Sequence, residues 1–230
     1  MAIEWVNKAD LYYKLMLKLK PAEIILDIGT GISPQEYIEP SVHICCEPYA
    51  EYIEVLKQRI KSEFKNKKQK YVLINLNWGE VINIFPKKSI DSVFLIDVIE
   101  HLNKEEASIL LKRTEEIVTN QIVIFTPLGF MPQTHNDGKD AWGLSGAKWQ
   151  EHLSGWDNND FDESWDILAV KAYHFIDNIG NKLEEPFGAL WAIKNYSDTT
   201  VITNNYKKYK AGLSRVRLHR WLDKFLNLFS

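Results

Sequence analysis

Ile25-Leu26-Asp27-Ile28-Gly29-Thr30-Gly31-Ile32-Ser33-Pro34 is the stretch that decides how this 230-residue chain is organised. An apolar run ends in a carboxylate and then turns through two glycines. Glycine reaches positive φ and lets backbone approach a ligand closely, while a carboxylate at a strand tip accepts hydrogen bonds from an ammonium or hydroxyl group. Twenty residues beyond Asp27, Glu47 closes a second apolar run. At that offset an acid typically accepts from both ribose hydroxyls of an adenosine ligand. A glycine pair alone also fits an ordinary strand-to-helix turn, so the two acids carry the inference. A dinucleotide site needs a third glycine where helix and pyrophosphate meet; Ser33 and Pro34 follow instead, which disfavours pyrophosphate.

Outward from this stretch, short branched runs alternate with helical patterns. Strands are expected at Glu23 to Ile28, Val42 to Cys46, Tyr71 to Ile74, Ser92 to Ile96 and Gln121 to Phe125. Their continuous apolar character is that of strands covered by helices on both faces, and the alternation implies a parallel sheet. Crossover helices are expected over Tyr49 to Phe64 and Lys104 to Val118, where apolar residues recur on one face. From Thr126 to Asp162 the pattern stops in a glycine-, proline- and tryptophan-rich loop. Two further runs, Asp166 to Phe175 and Gly188 to Lys194, read as a closing hairpin.

The segments resemble those of class I S-adenosylmethionine-dependent methyltransferases. Asp27-Ile28-Gly29-Thr30-Gly31 and Glu47 match that family's first motif and second strand end, and Asp97-Val98-Ile99-Glu100-His101 matches its fourth-strand segment. Ile122 to Pro127 is similar to its fifth strand and turn, so the resemblance covers about residues 20–130. It implies an α/β, Rossmann-like, mostly parallel seven-stranded sheet with helices on both faces and a closing antiparallel hairpin. It also implies S-adenosylmethionine as cofactor: Asp27, Gly29 and Gly31 around its methionine portion, Glu47 at the ribose, and Pro48 with Tyr49 at the adenine edge. Asp97, with Val98 and His101 beside it, would line the floor. The family commonly has an acid after the third strand, touching the adenine amino group; here Asn75-Leu76-Asn77-Trp78 stands there. An amide oxygen of Asn75 or Asn77 can accept the same bond, and Trp78 is either a stacking partner or core packing.

The chain then divides into a methyltransferase domain over 1–205, with a substrate lid at about 127–162, and a basic amphipathic tail over 206–230. Transfer to a small-molecule or saccharide acceptor at oxygen is the expected reaction. The lid holds the candidate bases, His152 first and His135 second, and Trp149 to Trp156 resembles segments of surface-polysaccharide methyltransferases. His135, Asp137, Asp140 and His152 include metal-ligand types, but their spacing matches no specific site, so no required metal is expected. Two alternatives stand beside this: a catalytically inactive methyltransferase-like binding protein, and an NAD-binding oxidoreductase.

Composition narrows the partners. A formal charge of −3 gives no general attraction to nucleic acid. Adjacent Cys45 and Cys46 on a strand point to opposite faces, which excludes a disulfide framework. No apolar run has the length of a signal peptide or membrane span, so a cytoplasmic protein is expected. The tail alternates basic residues with an apolar stripe, and reads as a terminal packing helix, a self-association surface or a peripheral contact with the membrane's inner face.

Overall fold

Strands buried on both faces must alternate their side chains between two apolar layers, and the computed structural model, which describes residues 3–133, 135 and 137–196, shows that alternation. Along β5 (Ile90–Ile96), Val93 and Leu95 join one core while Phe94 joins the other. Along β6 (Val118–Leu128), Ile122 and Ile124 oppose Val123 and Phe125 in the same way. Burial at this level contributes about 1.5–3 kcal/mol for each large aliphatic side chain.

With β1 (Ile3–Trp5), β2 (Ile24–Ile28), β3 (Val42–Cys46), β4 (Lys70–Ile74), β7 (Trp165–Ile176) and β8 (Lys182–Asn195), these form one sheet in the order β1-β7-β8-β6-β5-β2-β3-β4. All pairings are parallel except those of β8, which runs antiparallel to both β6 and β7. The expected mostly parallel sheet and closing hairpin are present. The sheet has eight strands rather than seven, because Ile3–Trp5 adds a parallel edge against Ile167–Ala169. Three residues are too few to show a period of two in the sequence.

Helix α1 (Lys8–Lys18) covers one face through Leu11 and Leu15; Asn7 caps it by accepting from the Asp10 N–H. Its apolar pattern was not expected to be a helix. The other face is covered by α3 (Trp78–Ile84) and α4 (Lys104–Ile117), with Val81, Ile82, Leu110 and Leu111 buried. Helix α2 (Ala50–Ser62) follows β3 and buries Tyr52 and Leu56. The expected loop from Thr126 is partly regular: β6 continues to Leu128, and a short helix α5 (Ala147–Gln150) lies within it. Cys45 and Cys46 are buried and free. No helix among the described residues is long and apolar enough to cross a membrane, and the tail over 206–230 lies outside the described residues.

Candidate active site

Strand order reverses around β2: the chain moves from β2 to β3 and β4 on one side, then crosses to β5 on the other. Ligands of open α/β sheets bind beyond the carboxyl ends of strands at such a switch point. The glycine turn lies there. Gly29 and Gly31 have φ of +69° and +57°, a region that residues with a Cβ enter only with strain. A Cβ on Gly29 would lie 2.6 Å from Val98 Cγ2, and one on Gly31 would lie 2.9 Å from the Trp142 ring. The turn is therefore pressed between the β5 tip and the insertion.

Each acid at this end is held by backbone. Asp27 Oδ2 accepts from the Gln35 N–H at 2.8 Å and from His43 Nε2 at 3.1 Å. Glu47 accepts from Gly31 N–H at 2.9 Å through Oε2 and from Tyr49 N–H at 3.0 Å through Oε1. Burial nevertheless pushes the Glu47 carboxyl up to about 7, since the two N–H groups offset only part of the desolvation. Each Glu47 oxygen has two lone pairs and receives one N–H, so each keeps one for a ligand hydroxyl. Asn75 donates its amide N–H groups to the carbonyls of Glu47 and Pro48, which leaves the amide oxygen as its acceptor. Asn77 is the N-cap of α3 in a reciprocal box with Glu80, and Trp78 packs against the core. Both thus have structural roles.

The insertion is pinned to α2, beside this turn, by Asp140. That buried carboxylate accepts from the N–H groups of Trp142, Leu144 and Gly146 and from the Tyr52 hydroxyl at 2.5 Å. Trp142 meets Tyr52 edge-on, with ring centroids 4.9 Å apart. Sequence reasoning named neither Trp142 nor Tyr52 as part of the site, because their contact joins positions 90 residues apart.

A second polar group gathers beside it, around the β5 tip. Asp97 has a φ of +52°, a strained conformation for a residue other than glycine, and Glu100 is 2% exposed. Burial pushes both carboxyls up, and repulsion from Asp97 adds to the shift at Glu100. His101 and His152 lie ring against ring with centroids 4.9 Å apart. The segment Glu151 to Trp156 brings them together. Leu153 and Ser154 donate their N–H groups to Glu100 O, while Ser154 Oγ and Trp156 Nε1 donate to Ile99 O. Burial pushes His101 down to about 4 and also lowers His152. His135 adds to the lowering at both, and His174, on β7, is depressed to about 4 by burial, with Lys8 and His152 contributing. Both expected bases thus join one group with His101. Asp137 is exposed and Asp140 is bound as described, so the four residues weighed as metal ligands are not brought together. His174 and His43 were missed: a single histidine inside a strand carries no signal of its own.

No family model and no curated protein matches the chain in sequence. Solved structures do match in fold. TehB from Haemophilus influenzae aligns with a TM-score of 0.52 at 16% identity, covering 80% of this chain and 61% of that one. Magnesium protoporphyrin IX methyltransferase (ChlM) from Synechocystis PCC 6803 aligns at 0.45 with bound SAM and 0.47 with bound SAH. Those alignments have 13% and 15% identity, and cover 81% of this chain in each case and 75% and 78% of that one. The chain has the Rossmann-like fold of class I methyltransferases.

Proposed function

We propose that the chain is an S-adenosylmethionine-dependent methyltransferase acting on a small-molecule or saccharide hydroxyl. One observation carries this: an acid-and-glycine turn at the switch point stands next to a group of histidines. The turn fits the cofactor. Gly29 and Gly31 form a cradle that a Cβ would fill, and Asp27 and Glu47 bring carboxyl oxygens to the ends of β2 and β3. Asp27 and the two glycines would hold the methionine portion, Glu47 the ribose, and Pro48 and Asn75 the adenine edge. Val98 and Asp97 would line the floor.

Bound, S-adenosylmethionine supplies a sulfonium methyl that an acceptor oxygen takes as the carbon–sulfur electron pair stays on sulfur. The chain's part is to position the acceptor and remove its proton, and positioning alone contributes up to about 7–11 kcal/mol in favourable cases. The proton acceptor is drawn from the histidine group. His152 donates from Nδ1 to Met131 O at 2.6 Å, so its Nε2 carries a lone pair; buried His135 Nε2 has no partner. Burial lowers the His152 pKa, so its imidazole is neutral near pH 7 and its Nε2 lone pair can take a proton.

Isothermal titration with S-adenosylmethionine and S-adenosylhomocysteine, beside an NAD control, tests the cofactor before any acceptor is known. Micromolar binding of both adenosyl ligands is expected, weakened about 10–100-fold in Asp27→Asn, as for loss of a charge-assisted hydrogen bond. Binding of NAD alone would overturn the reading in favour of an oxidoreductase. Binding of no ligand would do so in favour of an inactive relative whose turn is closed by Trp142. A labelled-methyl screen of sugars and other hydroxyl compounds then tests the acceptor, and product at nitrogen or carbon would remove oxygen from the proposal.

A further inference from the structure

Buried polar atoms in a folded protein nearly always find partners, so a concentration of exceptions asks for an explanation. Eight buried side-chain nitrogens and oxygens among the described residues have none, and five of them belong to Glu100, Thr126, His135 and His174. Both oxygens of Glu100 are among them. Thr126 and Asp97 are its polar neighbours, yet neither meets it in hydrogen-bonding geometry, and the Thr126 hydroxyl is itself without a partner.

The histidines beside Glu100 sharpen the problem. His101 Nδ1 lies 3.0 Å from Glu151 O and His152 Nδ1 lies 2.6 Å from Met131 O. A carbonyl only accepts, so each Nδ1 carries the proton and each Nε2 carries a lone pair. Orientation of an imidazole by a backbone carbonyl on its far nitrogen is the usual support of a metal-binding histidine. Glu100, His101 and His152 each offer a ligand atom within 4.8 Å of the other two. Two imidazole lone pairs and a buried carboxyl thus converge; a proton on Glu100 could meet one of those lone pairs, whereas a cation meets all three groups at once.

We infer that Glu100, His101 and His152 hold a divalent first-row cation. Two nitrogens and one oxygen suit an ion of intermediate hardness such as manganese, iron, cobalt or zinc, rather than magnesium or calcium, which take mainly oxygen. Ligand atoms around such an ion stand about 3.0–3.4 Å apart, so separations of up to 4.8 Å call for at most a small inward movement of the three side chains on binding. Three protein ligands leave coordination positions open, as in catalytic rather than structural sites. His135, whose Nε2 is buried without a partner, is the base left over once His152 is a ligand. An acceptor hydroxyl held by the ion would have its pKa lowered and would pass its proton to that nitrogen. That role rests on the methyltransferase reading; the ion site does not. This ion site departs from the expectation of no required metal, which weighed His152 with His135, Asp137 and Asp140 but not with Glu100 and His101.

The test uses the full chain, stripped with EDTA and dialysed. Cobalt(II) is titrated by its visible absorption, manganese(II) by its paramagnetic resonance, and bound metal is counted by elemental analysis. One ion per chain with micromolar affinity is expected, with magnesium at least 100-fold weaker. Ion at one hundred times Kd should raise Tm by about 5–10 °C. Glu100→Gln and His152→Gln should each lose at least 100-fold in affinity while melting within a few degrees of the metal-free parent, and His174→Gln should bind as the parent does. No stoichiometric ion in the parent, or unchanged binding in folded Glu100→Gln and His152→Gln, would overturn the proposal. Binding of cobalt without binding of S-adenosylmethionine would leave the ion site standing and remove the methyltransferase reading.

Discussion

At one end of the crevice the glycine turn is closed on itself; a short distance along it, the histidine group is open. Asp27 and Glu47 are as buried as Glu100, yet their oxygens receive backbone N–H groups from the same few turns, whereas Glu100 receives none. Local backbone can satisfy the first pair because donor and acceptor are close in sequence or on paired strands. Glu100, His101 and His152 come from two segments 50 residues apart, and their own N–H and C=O groups go into holding those segments together. A site built from the backbone is complete before a ligand arrives, while one built from converging side chains stays short of a partner.

Breaking the closed end should have the largest effect. Gly29→Ala adds a methyl 2.6 Å from Val98 at a φ of +69°, so strain and overpacking act together. A loss of about 2–4 kcal/mol is expected in chemical denaturation. A wild-type-like midpoint would show that the turn relaxes and that the glycine serves the ligand alone.

The open end should show itself through pH. His174 has a folded pKa near 4 against an ordinary 6.5, so it is protonated more readily in the unfolded chain. Its neutral burial therefore contributes stability that is fully present above about pH 6.5 and is lost as pH falls towards 4. At pH 5 the loss is about 1–2 kcal/mol after allowance for partial exposure. Denaturation of metal-free His174→Phe should be correspondingly flatter between pH 7 and 5, with Lys8 unchanged; parallel pH profiles would mean that His174 is not the group responsible.

Smallest is the stitch between the two segments. Ser154→Ala removes the bond to Ile99 O and the acceptor for Trp156 Nε1 at 2.9 Å, and about 1 kcal/mol should be lost. Cobalt affinity should fall several-fold with it, because His152 is held two residues away. An unchanged affinity with the same loss of stability would separate docking of the segment from assembly of the histidine group.

The legible part of the fold was the part with long, uninterrupted patterns. Five parallel strands, the hairpin and two crossover helices announced themselves, the inner strands because burial on both faces demands continuous apolar runs and the exposed edge strand β4 by its short branched run alone. Helix α1 shows only Leu11 and Leu15 as buried residues, and β1 is three residues long, so neither built a period strong enough to read. Asn77 shows another limit. Beside a strand end it looked like an adenine contact, and the capping box with Glu80, visible as a spacing of three, was the competing signal.

What the sequence by itself determined was the doubly covered sheet, the acid-glycine-acid turn at its switch point and the candidate histidines in the insertion. These depend on local periodicity and on residue types that few other functions require. Only the tertiary structure decided that Trp142 lies on Gly31, that His135, His152 and His174 gather near His101, and that Glu100 is buried without a donor. Those are contacts between distant segments, set by how the insertion docks on the β5 tip through Glu151 to Trp156. The free energy of such docking is spread over hydrogen bonds whose partners no local pattern encodes.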